Sequence, residues 1–110
     1  MKLSVNGQIL ADEIRIADTF GSRFLGLMGK KELKEGQGLL LKRCGSIHTC
    51  FMRFPIDVIY LSGGMDVLAV QTVKPWRMGK TGRKARHTLE LPEGQKEQFQ
   101  IGDHVSIQEG

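Results

Sequence analysis

Ile56-Asp57-Val58-Ile59-Tyr60-Leu61 is followed by the turn Ser62-Gly63-Gly64 and by a second run, Asp66 to Val73. Apart from Asp57 the first run is apolar at every position. Both of its faces therefore need cover, the pattern of a strand inside a sheet. The glycines allow the chain to turn, and the second run reads as a long strand returning from it. Leu39-Leu40-Leu41, bracketed at its start by Gly36 and Gly38, has the same two-sided apolar character and predicts another central strand.

Outward from this centre the strand signals continue. Leu3 to Val5 and Gln8 to Leu10 flank Asn6-Gly7, the dipeptide that best tolerates the positive φ angles of a two-residue hairpin turn. Glu13 to Ala17 alternates apolar Ile14 and Ile16 with charged neighbours, as a half-buried strand does. His87 to Leu91 predicts a strand closed by Pro92, Glu93 to Phe99 has room for one helical turn, and His104 to Gln108 predicts a last strand after Gly102-Asp103. One helix is expected after Asp18, which suits a helix cap, with Phe20, Phe24, Leu27 and Met28 forming a core stripe and Gly29 at its end. Seven or eight short strands without βαβ alternation predict a mainly β fold. It should be a compact, mostly antiparallel sandwich or partly closed barrel with one short helix.

The chain of 110 residues suits a single domain over residues 1–110, and its 40% hydrophobic and 25% charged content is ordinary for a globular protein. No apolar run approaches the roughly 18 residues of a membrane span. The start of the chain turns polar too early for a secretory signal, so a cytoplasmic location and no membrane partner are expected. In that compartment Cys44 and Cys50 are not expected to form a structural disulfide. The net charge of +4 is concentrated in one place. Between Asp66 and Glu90 there is no acid, yet Lys74, Arg77, Lys80, Arg83, Lys84 and Arg86 all fall there; without these six, acids outnumber bases. This polar, glycine-containing stretch, residues 74–86, is expected to be a basic loop.

Five phrases in order carry a family resemblance. They are Arg23-Phe24-Leu25-Gly26-Leu27-Met28, Gly38-Leu39-Leu40-Leu41, Phe51-Met52-Arg53-Phe54-Pro55-Ile56-Asp57-Val58-Ile59-Tyr60, Leu89-Glu90-Leu91-Pro92-Glu93-Gly94 and Gly102-Asp103-His104-Val105. Together they resemble the family known as domain of unknown function 192, over residues 13 to 108. The resemblance implies a small, mainly β, jelly-roll-like sandwich and supplies no activity. Relatives usually carry Trp at the start of the central phrase and Lys-Asn-Thr after its Met. Phe51 and Arg53-Phe54 depart from this, and the Cys44/Cys50 pair marks a variant.

Three groups carry candidate chemistry. Asp57 interrupts an apolar strand, so its carboxylate is either a structural anchor or a site residue, with Arg53, Arg23 or His48 as possible partners. Cys44, His48 and Cys50 are soft or borderline ligands. They are weak candidates for a zinc site completed by Asp57, His87 or water, and His48 next to Cys50 could alternatively favour a thiolate. Trp76 with Arg77, Lys80, Arg83 and Lys84 could clamp an anion and stack on a ring, or could simply be solvated. Glu90 alternates with Leu89 and Leu91 and is expected to face solvent or to neutralise an arginine. The favoured reading is a monomeric binding module for an anionic small molecule, glycan or polymer. Its site would span Ser46 to Asp57, with Arg53, Asp57 and His48, beside the basic loop. Nucleic acid is a less favoured ligand, since no nucleic-acid motif is present. The alternative is a small enzyme using Cys50, His48 and Asp57, with or without a metal. No cofactor is called for.

Overall fold

The hairpin forms where Asn6-Gly7 predicts it: β1 (Lys2–Val5) and β2 (Gln8–Ala11) pair antiparallel, and Asn6 and Gly7 take φ of 51° and 86°. Both values lie in the left-handed region that a two-residue turn of this type requires. The computed structural model describes residues 1–19, 32–49, 52–80 and 84–109. The expected helical stripe Phe20/Phe24/Leu27/Met28 lies outside the described residues.

On its other edge β1 pairs with β10 (Val105–Gln108), completing a three-stranded antiparallel sheet in the order β10-β1-β2. A second sheet holds five strands: β3 (Glu13–Ala17), β4 (Gln37–Leu41), β6 (Ile56–Leu61), β7 (Val67–Val73) and β9 (His87–Pro92). Their order is β3-β4-β9-β6-β7. All neighbours in it are antiparallel except β3 and β4. A parallel pair cannot be joined by a tight hairpin turn, so β3 and β4 are far apart in sequence.

The two faces of the five-stranded sheet bury different cores. Ile14, Leu40, Ile59, Leu61, Leu89 and Leu91 point one way, against Leu3, Val5, Ala11, Phe99 and Val105 of the three-stranded sheet and its neighbourhood. Leu39, Leu41, Ile56, Val58, Tyr60 and Val73 point the other way, and Ile47, Met52 and Ala85 cover them. Every residue of β6 is consequently buried, as its two-sided apolar sequence predicts.

Two features differ from the sequence expectation. The stretch 74–86 is not a loop throughout: β8 (Met78–Lys80) pairs antiparallel with β5 (Ser46–His48), forming a two-stranded ribbon. Three-residue strands are too short to show periodicity, so the pairing has no local signature. Glu90 does not face solvent. It retains 2% of its accessible surface, and among the described residues no side chain forms an ion pair with it. Alternation predicts a solvated face only when one side of a sheet is open, and here both sides are covered.

Candidate functional site

The ribbon is tied down by Thr49, a polar residue with no exposure. Its hydroxyl donates to the Lys74 carbonyl at 2.6 Å and accepts from the Arg77 N–H at 2.7 Å. Its own N–H donates to the Arg77 carbonyl at 2.8 Å, and its carbonyl accepts from the N–H groups of Trp76 (2.9 Å) and Met52 (3.1 Å). A buried threonine so satisfied costs nothing in unpaired polar groups and fixes two chain segments together. Trp76, Arg77 and the residue after Met52, Arg53, all leave this one knot. Arg53 and Arg77 are exposed, and Trp76 is 57% exposed with a left-handed φ of 61°.

Beneath the ribbon, β8 lies on Tyr60. A Cβ built on Gly79 would stand 2.7 Å from the Tyr60 hydroxyl and 2.9 Å from Val73 Cγ2, so the close approach requires glycine. The Tyr60 hydroxyl donates to Gln71 Oε1 at 2.9 Å. Val58 separates Gln71 from Glu90 in one cross-strand row, so Tyr60, Gln71 and Glu90 share a face. Burial pushes the Glu90 carboxyl up to about 8. It is therefore held as a neutral acid at neutral pH, which avoids burying an unpaired charge. Burial, and then the neighbouring Glu90, push the Tyr60 phenol up to about 12.

Asp57 sits on the opposite face of β6. Its Oδ1 accepts from the Thr72 hydroxyl at 2.6 Å, and its Oδ2 accepts from the N–H groups of Gly94 and Lys96, both at 2.8 Å. Three donors meet a fully buried carboxylate, which anchors the segment that enters the short 3-10 turn Gln95–Gln98. The structure does not bring Asp57 together with Arg53.

Cys44 is half-buried, and its carbonyl accepts from the Thr88 hydroxyl at 2.6 Å. Ser46 and His48 belong to β5, opposite Lys80 and Met78 of β8. Lys84 and Arg86 are exposed at the end of the basic stretch. Cys50 and Arg83 lie outside the described residues. Among the described residues no group of three His, Cys, Asp or Glu is arranged to hold a metal ion. Among them, too, no helix is long and apolar enough to cross a membrane.

The DUF192 family, described as "Uncharacterized ACR", matches residues 1–107. The chain belongs to the DUF192 family. A UPF0127 protein of Pyrococcus horikoshii is 41% identical to this DUF192 chain over 98 residues, covering 84% of this chain and 85% of that protein. A UPF0127 protein of Pyrococcus furiosus is 36% identical over 104 residues, covering 90% of each. The crystal structure of a protein of unknown function from Novosphingobium aromaticivorans matches with a TM-score of 0.87 at 19% identity. The match spans 97% of this chain and 84% of that one. At that identity the likeness concerns the fold.

For this DUF192 protein, sequence reasoning singled out Arg53, Trp76 and Arg77 but had no means of placing them at one point. It missed Thr49, which has no local signal: a threonine before a cysteine reads as an ordinary polar residue. It misplaced Glu90. The signal that could have found it is the string Thr88-Leu89-Glu90-Leu91, a strand flanked in the sheet by two runs that are apolar on both faces.

Proposed function

We propose that this DUF192 protein is a binding module for an anionic ligand, taken up on the outer surface of the β5–β8 ribbon. The observation that carries this reading is the Thr49 knot, from which Arg53, Trp76 and Arg77 emerge together. Cations held at one rigid point lose less side-chain freedom on binding than cations on a wandering loop. The indole offers a flat face for stacking on a ring of the ligand. The absence of any acid between Asp66 and Glu90 keeps the local potential positive, with Lys80, Lys84 and Arg86 extending it. An anionic small molecule, an acidic glycan or a polyanion fits this chemistry, and Arg53 and Arg77 are the residues that confer it.

Retention on immobilised heparin, eluted with a salt gradient, tests the reading. The Arg53→Ala/Arg77→Ala variant is expected to elute at markedly lower salt than the parent, with an unchanged thermal midpoint. Trp76→Ala is expected to weaken retention without altering its salt dependence, because stacking releases no counterions. Identical elution of the parent and the double variant would overturn the assignment.

A further inference from the structure

On the other side of the five-stranded sheet, where β4 and β9 face β10, an open cleft of about 660 Å³ lies between the two sheets. Its volume is within the roughly 300–1,000 Å³ of small-molecule sites. Leu40, Val105 and Ile107 form apolar walls, and Lys42, Arg43 and His87 stand among its lining residues with Asp18. None of them belongs to the ribbon.

Arg43 and His87 are 44 positions apart and are joined by a direct hydrogen bond. The Arg43 N–H donates to His87 Nδ1 at 3.0 Å. An imidazole nitrogen that accepts a proton donor carries a lone pair, so the ring is neutral with its proton on Nε2. Burial, then Lys42 and Arg43, hold His87 below its ordinary value of 6.5. His87 is thus a neutral donor beside two cations. Arg43 adopts a left-handed φ of 57°, a conformation that glycine takes without cost and arginine does not. Keeping an arginine there, with its Nη2 donating to the Asp18 carbonyl at 3.3 Å, places the guanidinium at the cleft. Strain of this kind collects at functional positions.

We propose that this cleft binds an aliphatic carboxylate, with the carboxylate at Lys42, Arg43 and His87 Nε2–H and the chain along Leu40, Val105 and Ile107. The head group follows from the charges. Among the lining groups Lys42, Arg43 and the Met1 ammonium are cationic, Asp18 is anionic and His87 is neutral, so the cleft is net positive. That balance calls for an anionic head group, and the planar guanidinium of Arg43 suits the two oxygens of a carboxylate. The tail follows from the walls, which lie between two packed sheets and gain from excluding water.

Isothermal titration of the full chain with octanoate, acetate and octyl phosphate tests this. Octanoate is expected to bind at least tenfold more tightly than either of the others. Arg43→Gly removes the guanidinium while relieving the left-handed backbone, so it is expected to fold at least as stably as the parent and to lose tenfold or more in octanoate affinity. Lys42→Ala is expected to show a comparable loss. Octanoate binding no better than acetate, tighter binding of octyl phosphate, or an Arg43→Gly variant with undiminished affinity would each overturn the proposal.

Discussion

Glu90→Gln is the substitution that examines the buried face most directly. The Glu90 carboxyl is raised from 4.5 to about 8 by burial, with no cation paired to it among the described residues. The unfolded chain releases this proton near 4.5, whereas the folded chain keeps it until about pH 8. Below pH 4.5 both states are protonated and the group contributes no pH dependence. From there to about pH 8 the unfolded state is progressively favoured, and stability falls by about 1.4 kcal/mol per pH unit. The full span corresponds to about 5 kcal/mol, and relaxation and water entry around the buried group reduce this to about 3 kcal/mol. Glutamine has nearly the same shape and does not titrate. The stability difference, Glu90→Gln minus parent, is therefore expected to be flat below pH 4.5, to rise through pH 5–8 and to level off above. Urea unfolding of both proteins at pH 4, 6, 7 and 8.5 measures it, and every other titrating group cancels in the difference. For a domain of this size, about 3 kcal/mol corresponds to roughly 10–20 °C in thermal midpoint. A difference that stays constant across this range, or that shrinks as pH rises, would refute a neutral buried Glu90.

Asp57→Ala leaves the N–H groups of Gly94 and Lys96 and the Thr72 hydroxyl without their acceptor, and is expected to cost about 3–5 kcal/mol in denaturant unfolding. Gly79→Ala forces a methyl against the Tyr60 hydroxyl and is expected to destabilise by about 1–3 kcal/mol. Adding Tyr60→Phe removes the clashing oxygen, so a double-mutant cycle should return part of that loss. His87 is held below 6.5. The unfolded chain therefore takes up its proton first as pH falls, so stability declines on acidification through 6.5 toward the folded value. An NMR titration of the ring should show a midpoint under 6.5, and Arg43→Gly should move it upward by removing one of the two cations.

Much of the fold is legible in the sequence because hydrophobic periodicity and turn chemistry are local. Asn6-Gly7 specifies a hairpin through backbone sterics, and the structure supplies the two positive φ angles. Ile56 to Leu61 announces a strand buried on both sides, and all six residues are buried. The ribbon is not legible. Ser46–His48 and Met78–Lys80 are three residues each, and their pairing is fixed by bonds from Thr49 to residues 25 and 28 positions away.

The candidate sites divide along the same line. The sequence by itself determined that Asp57 is an anomaly in an apolar strand, that the cations cluster between residues 74 and 86, and that the chain is built mainly of strands. Only the tertiary structure decided that Asp57 anchors the 3-10 turn, that Glu90 is buried and not solvated, and that Arg43 meets His87. The physical reason is that alternation reports which residues share a face but not what covers it. Cover is decided by strand order and by contacts between residues far apart in the chain. Asp57 on β6 and Glu90 on the neighbouring strand β9 thereby take opposite faces of one sheet, and one becomes a hydrogen-bonded anchor while the other becomes a neutral buried acid.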